Sequence, residues 1–396
     1  MCIRDSPASS NALEDLQLRI SLEPIRDLKI DLTANRTRNR SREIQYMFEG
    51  MPDTHSGNFS MSIISIGSAF ERPSAGDGYH SGTFERFRRN LDVIRDRVES
   101  QFLGAQYPQG SALAGKTFDP ANGTISKHSP DVMIPAFLAA YTGRSARNSA
   151  LDFFPSLFSM MPNWRITYTG LTKIAWFKKN FRSVNLNHAY RSTYSVGSYN
   201  TFQSFMSYMG DIGFVEDVQS GNPIPSSRFD ISMVSINEQF SPLIGMDATL
   251  KNGLTAKVEY KTSRILNLSM SACQLVETAS RDFVIGLGYK IVNFNLFSGR
   301  NVKDSKNRVS HDLALRADIS FRNQSALCRD IQQGFAQATN GNKALKISCS
   351  ADYTLSRLLT LRLYYDRQQN TPLISSSSYP VVSADFGFSM KFSLTR

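Results

Sequence analysis

The residues closest to a chemical motif are Gly110-Ser111-Ala112-Leu113-Ala114-Gly115-Lys116-Thr117, which spell a phosphate-binding loop. Backbone N–H groups cradle phosphate in such a loop only when a buried strand enters it and a helix leaves it. Here Gln106-Tyr107-Pro108-Gln109 precedes the motif, and proline is foreign to a central strand. Phe118-Asp119-Pro120 and Asn122-Gly123 follow, which is turn chemistry. Nucleotide binding is therefore not expected. The five histidines, at 55, 80, 128, 188 and 311, include no pair at helical spacing for a metal. Cys2, Cys273, Cys328 and Cys349 fit neither a metal site nor a dense disulfide framework. They read as small hydrophobes or incidental thiols, with a Cys328–Cys349 bridge as the open alternative. Paired carboxylates and nucleophile motifs do not stand out. The expectation is a non-enzyme with no catalytic, cofactor or metal residues.

The chain has 396 residues and a net charge of +11. Its Lys and Arg are scattered rather than clustered, which argues against nucleic acid as a partner. Its 26 Phe and 15 Tyr supply too much apolar surface for a disordered chain. A spanning helix needs ~18 or more apolar residues. The longest apolar run, Val132 to Tyr141, falls short and contains Pro135, so a helical membrane protein is excluded. A membrane β-barrel is not excluded, because its strands alternate and look only mildly apolar.

Alternation is the dominant pattern. Ala384, Phe386, Phe388, Met390, Phe392 and Leu394 interleave with Ser383, Asp385, Gly387, Ser389, Lys391 and Ser393. Leu359, Leu361, Leu363 and Tyr365 interleave with Thr360, Arg362, Tyr364 and Asp366. Residues 345–355 and 313–321 repeat the pattern, as do 283–291, 266–272, 254–260 and 244–250. Near the start, Leu16 to Leu22 and Leu28 to Leu32 do the same. Side chains on a strand point to opposite faces with period two. Each run is thus a strand with one oily and one wet face. Turns separate them, the clearest at Lys251-Asn252-Gly253.

The expected fold is all-β: a transmembrane antiparallel β-barrel fragment of roughly fourteen strands near ten residues long, the ~9–11 that a bilayer demands. A helical and loop insertion at 71–162 interrupts barrel strands at 13–70 and 163–396. Within it, Phe84, Phe87, Leu91, Ile94, Val98 and Phe102 step as one face of a helix. Arg86, Arg89, Arg95 and Arg97 lie off that stripe, as a solvated face or a contact for acidic lipid. A second helix is expected near Asp131 to Tyr141 with Ser129 as its cap, and a short one over Thr172 to Phe181.

Three features point the oily face at lipid rather than at a second sheet. The strands are long. The wet face carries both signs of charge, at Lys257, Glu259, Arg316, Asp318, Arg362 and Asp366, which suits a water-filled lumen. Tyr260, Phe283, Phe321, Tyr365 and Phe392 fall near the ends of the apolar band, where barrels carry aromatic girdles. Leu359, Leu361, Leu363, Phe386 and Phe388 are then lipid-facing. A sheet in lipid has to close on itself, since an open edge leaves backbone groups unpaired.

At the N-terminus, Met1-Cys2-Ile3-Arg4-Asp5-Ser6 resembles the translated transposon end of a sequencing adapter. Residues 1–12 are expected to be a scar and a disordered start, and the chain a C-terminal fragment. At the other end, Asp385-Phe386-Gly387-Phe388-Ser389-Met390-Lys391-Phe392 resembles the β-signal of outer-membrane proteins. Asp385, Gly387, Met390 and Phe392 fill its named places, although Thr395 and Arg396 follow where many such proteins stop.

Several segments together resemble the C-terminal region of the SprA (Sov) family, the giant translocon barrels of type IX secretion. They are 177–181 leading into Val184-Asn185-Leu186-Asn187-His188-Ala189-Tyr190-Arg191-Ser192-Thr193-Tyr194, Ile236 to Met246, Asn252 to Lys261, Gln274 to Thr278, and Asn370-Thr371-Pro372 with Ser378-Tyr379-Pro380 and the terminal strand. The resemblance covers most of 160–396. It implies a very large outer-membrane barrel that exports folded cargo proteins bearing C-terminal secretion signals and serves gliding motility. It also implies a shuttle barrel at a lateral opening, a periplasmic plug protein, barrel-assembly machinery and membrane lipid as partners. No catalytic residue comes with it. A periplasmic C-terminus, implied in the same way, would make Asp366 to Ser378 and Asn323 to Lys343 extracellular loops, and Asn295 to His311 a periplasmic turn. Two alternatives remain: an uptake porin or plugged receptor with the insertion as its plug, and a soluble β-sandwich adhesin.

Overall fold

A computed structural model describes residues 8–44, 53–71, 73–120, 125–217, 220–292, 294, 312–355, 358–374 and 379–392. The adapter-like residues 1–6, the turn at 356–357 and the 295–311 segment lie outside them. The chain runs through β1 (Ala8–Ile25), β2 (Leu28–Ile44), β3 (Thr54–Ser62), α1 (Gly82–Gln101), α2 (Pro130–Tyr141), β4 (Asn163–Tyr168), α3 (Ala175–Asn180) and β5 (Phe181–Thr201). Three short strands follow, β6 (Met206–Met209), β7 (Ile212–Glu216) and β8 (Pro223–Ser227), then β9 (Phe229–Asp230) and β10 (Met233–Leu250). It ends with β11 (Leu254–Ser269), β12 (Gln274–Ile291), β13 (Leu313–Asp330), β14 (Ala336–Thr354), β15 (Leu359–Pro372) and β16 (Val381–Phe392).

The fold is all-β. A 13-stranded antiparallel sheet takes the order β1-β2-β3-β5-β10-β11-β12-β13-β14-β15-β16, with β4 bridging β2 and β5 and β9 on β5. β1 and β16 are its two ends and, among the described residues, do not pair with each other. Tight connections suit antiparallel neighbours: Arg26-Asp27 joins β1 to β2 with Asp27 at φ 71°, and Gly253 turns into β11 at φ 89°. The Asn252 side chain accepts the Leu254 N–H at 3.1 Å and fixes that turn.

The strands are longer than the alternation suggests. β10 to β14 run 16 to 19 residues. Leu254–Tyr260 and the run beginning at Leu266, which look like two strands, are one. Asn323 to Lys343 is mostly strand, turning only at 331–335, and β15 continues to Pro372. Apolar alternation marks only the section with an oily face. Backbone pairing carries the strands on where that face turns polar.

The insertion builds an ordinary core. Phe84, Phe87, Leu91, Ile94 and Val98 of α1 are buried against Val132, Met133, Ile134, Ala136 and Phe137 of α2. Ser81 caps α1, its Oγ accepting the Phe84 N–H at 3.1 Å. Ser129 stands at the cap position of α2 but makes no side-chain cap bond; Pro130 leads the first turn instead. The expected helix over Thr172 to Phe181 is a 3-10 turn at Gly170–Lys173 followed by α3. Residues 206–227 leave the wall altogether. They form a separate sheet, β6-β7-β8, and Phe214 packs edge-on against Phe102 with ring centroids 5.7 Å apart. The globular part is thus composite, built from the 71–162 insertion and this second excursion.

Candidate functional site

The candidate site is the wall itself and what each face presents. Pairing from β11 through β12 to β13 is unbroken by any register shift. One face therefore carries Leu254, Val258 and Tyr260 of β11, Phe283, Ile285 and Leu287 of β12, and Leu315, Ile319 and Phe321 of β13. It continues through Leu345, Ile347 and Ala351 to Leu361, Leu363 and Tyr365. Phe392, Met390, Phe388 and Phe386 of β16 stand opposite Leu359, Leu361, Leu363 and Tyr365, so all five lipid-face candidates share this side. Phe386 is 73% exposed. On β11, residues 254–262 measure ~27 Å along the strand, or ~20 Å of height at a 35–45° tilt, close to the ~25 Å apolar band of membrane barrels.

The aromatics divide. Tyr260, Phe283 and Phe321 form one cross-strand row at the end of the band. Tyr365 lies four residues lower in register, opposite Cys349, and Arg367 follows it on the same face. A band edge that steps from strand to strand suits strands tilted against it.

The opposite face is charged. Lys257 and Lys261 reach Glu259 at 3.0 and 2.9 Å, and Arg362 faces Asp352 across β14–β15 at 3.6 Å. Arg316 stands opposite Ser350, and Asp318 opposite Ser348. Asp366 and Asp385 face each other directly, so the wet side of the last two strands is locally acidic. The residues matching the β-signal split by parity, with Asp385 and Gly387 wet and Met390 and Phe392 oily. Gly387 is opposite Tyr364, and a Cβ there would collide with the Tyr364 ring. The glycine gives that ring its resting place across the terminal strand.

The insertion packs on the oily side, beyond the end of the apolar band. Leu266, Leu268 and Leu275 continue the same parity as Val258 and Phe283, and they join the core of α1 and α2. Two ion pairs hold this junction. Arg264 donates to Glu238 at 2.7 Å and to the Ser68 carbonyl at 2.7 Å. Arg329 donates to Glu277 at 3.0 Å and to the Tyr79 carbonyl at 2.7 Å. Arg329 is 1% exposed, so its charge is compensated entirely within the protein. Glu71 also joins this end of α1: burial opposes its ionised form, but hydrogen bonds from Ser81 and Thr83 outweigh that and lower its pKa. On the far side, Asp131 accepts the Ser227 N–H at 3.2 Å, and burial raises its pKa despite that bond.

Sequence reasoning missed the junction, because Arg264 and Arg329 interrupt oily parity and look like ordinary surface charges. It also missed Arg36, Arg38, Arg40 and Arg42, which continue the oily face of β2 past Ala34. Their period of two was the available signal. Glu14 pairs with Arg36 and Arg40, and Asp53 with Arg42. The Arg38 guanidinium lies over the Phe154 ring at 4.6 Å.

Segment 110–117 is an irregular loop of turns, its two flanks joined by an isolated bridge between Gln106 and Thr117. Cys273, Cys328 and Cys349 are free. Cys328 pairs opposite Gln337 near one strand end and Cys349 opposite Ala317, on the other face, so a bridge between them is ruled out. Among the described residues no cluster of metal-ligating side chains occurs.

No family model matches the sequence, and no curated protein does. Among solved structures the chain is similar to OmpT, an outer membrane protein of Vibrio cholerae folded in vitro, in its trimer form. That match covers 98% of this chain and 99% of the other at 9% identity and TM-score 0.24. The loop L8 deletion mutant of the same protein matches with the same coverage at 8% identity and TM-score 0.23. Superpositions this loose assign neither fold nor function, which rest on the strands themselves.

Proposed function

We propose that the chain is a closing wall segment of an outer-membrane barrel that exports folded proteins, a translocon of the SprA (Sov) type serving type IX secretion and gliding motility. The observation that carries the membrane part is the segregation of faces. Long neighbouring strands put every candidate oily residue on one side, partly or fully exposed, and every candidate charged residue on the other. Hydrocarbon solvates the first side and lumen water the second. The free sides of β1 and β16 support a wall rather than a finished barrel, since a sheet in lipid leaves no edge unpaired.

The translocon part rests on the sequence resemblance. On that reading the wall passes cargo with C-terminal secretion signals to a shuttle barrel at a lateral opening, with a periplasmic plug protein below. No bond is made or broken by this chain. The β16 residues Asp385, Gly387, Met390 and Phe392 present the strand to the barrel-assembly machinery by edge pairing. One observation weighs against the plugged-receptor alternative: the insertion packs on the oily side of the wall, whereas a plug fills the lumen. The exposed Phe386, Phe388 and Met390 weigh against a soluble sandwich, whose oily side a second sheet would cover.

The test is secretion by cells whose only copy of the protein carries Leu361→Arg or Arg362→Ala. Loss of surface cargo with the first and normal secretion with the second supports the proposal. Normal cargo secretion but altered small-solute uptake with either variant supports the porin alternative.

A further inference from the structure

We propose that the insertion is a shelf seated on the bilayer surface outside the barrel, with the segment 155–162 as its lipid-dipping finger. This rests on the oily face meeting lipid, and it goes beyond it. A globular unit packed on the oily side of a membrane wall, directly beyond the end of the band, has its lower rim at the headgroups.

The rim has the composition such a position selects. The finger holds a 3-10 turn at Leu157–Ser159, where Phe158 is 95% exposed and Leu157 is exposed beside it. Both ends of the finger fix its height. Phe154, before it, packs on Phe59 with ring centroids 5.5 Å apart. The Met161 N–H, near its end, bonds the Ser62 carbonyl at 3.1 Å. The chain then enters β4, where Trp164 pairs opposite Leu32 and Tyr190 in the last row of the band. Phe70 reaches the same level by another route, 5.4 Å from Phe240 and more than half exposed. Exposed aromatic and aliphatic side chains thus converge on the rim from two separate segments. Arg144 sits beside the finger, its Nη1 3.5 Å from Ser159 Oγ. A short apolar segment with a flanking cation is what binds the boundary between acidic headgroups and acyl chains.

The occupant is the bilayer interface rather than a protein. The finger is continuous with the apolar band through β4, so both meet one solvent. At the opposite end of the band, α3 repeats the arrangement. Trp176 is exposed and stacks edge-on with Phe177, 4.9 Å between centroids, with Lys178 and Lys179 in the last turn.

The experiment uses the protein reconstituted in phosphatidylcholine vesicles brominated either near the headgroup or near the chain end. Two single-tryptophan reporters are compared, both in a Trp164→Phe, Trp176→Phe background. Phe158→Trp reports the finger. Ile319→Trp, on the exposed oily face, reports the middle of the band. Both positions are exposed, so neither change disturbs the fold. Ile319→Trp is expected to be quenched most by chain-end bromine. Phe158→Trp is expected to be quenched most by headgroup-proximal bromine, at a depth of ~5–10 Å below the surface. Quenching of Ile319→Trp with none of Phe158→Trp overturns the shelf and leaves the wall standing. Absence of quenching at both positions overturns the shelf together with the lipid-facing wall.

Discussion

The wall and the insertion obey the same hydrophobic effect with opposite outcomes. In the insertion, Phe87, Ile94, Val132 and Phe137 are fully hidden from solvent, and each is covered by another protein element. In the far wall, Phe386, Phe388, Met390 and Phe392 are as apolar, as regularly spaced and largely bare. Soluble proteins tolerate scattered exposed hydrophobes, but contiguous apolar faces mark an interaction surface. The difference teaches that burial is decided by the partner phase. A helix stripe finds another helix, and on the proposed reading the oily strand section finds a bilayer. Between the two, on β10 to β13, single strands serve both purposes, exposed along one section and roofed by the insertion along the next.

The junction gives the sharpest way to break this comparison. Glu277→Ala leaves Arg329 buried without its carboxylate, a loss of ~3–5 kcal/mol by the usual cost of orphaning a buried charge. Selective proteolysis at α1 and α2, with the wall still resistant, is the expected readout. Leu361→Arg should lower barrel stability by ~2–4 kcal/mol if that face meets midplane lipid, measured by urea unfolding in vesicles. Arg362→Ala, one residue away, should leave the midpoint unchanged.

Smaller effects sharpen the account. Gly387→Val forces the Tyr364 ring off the terminal strand, an overpacking cost of ~1–3 kcal/mol. Its expected sign is slowed assembly of the barrel, read by heat-modifiable gel mobility. Glu71 supplies the weakest test, through pH. Its carboxylate is favoured in the folded state, so its contribution is full above the ordinary carboxylate pKa and fades as pH falls through its lowered value. Glu71→Gln should remove that acid limb from the melting profile of the insertion, at a cost near the ~1 kcal/mol of a lost helix cap.

Much of the wall was legible in the sequence because one-sided solvation writes itself as strict alternation. Leu359 to Tyr365 and Phe386 to Phe392 state their faces without any tertiary information, and register then places them side by side. The helix stripe Phe84 to Val98 was legible for the same reason at a period of 3.6. Strand ends were not. Beyond Phe321 the oily parity reads Asn323, Ser325, Leu327 and Arg329, where the strict alternation ends, and pairing to β12 and β14 keeps the chain extended. The small sheet β6-β7-β8 was also hidden, because strands of 4 to 5 residues carry too few alternations to register. Which side of the wall the insertion covers depends on Arg264 and Arg329 finding acids across the sheet, a tertiary fact with no local signature.

The most direct test of the central claim is a spin-label scan of residues 359–366, one position at a time, in the cysteine-free protein in vesicles. Accessibility to dioxygen, which concentrates in hydrocarbon, and to a water-soluble nickel chelate are measured at each position. The account predicts that dioxygen peaks at 359, 361, 363 and 365 and the chelate at 360, 362, 364 and 366, out of phase throughout. Labels at the odd positions shielded from both reagents would contradict it, because the oily side would then be covered by protein rather than by lipid.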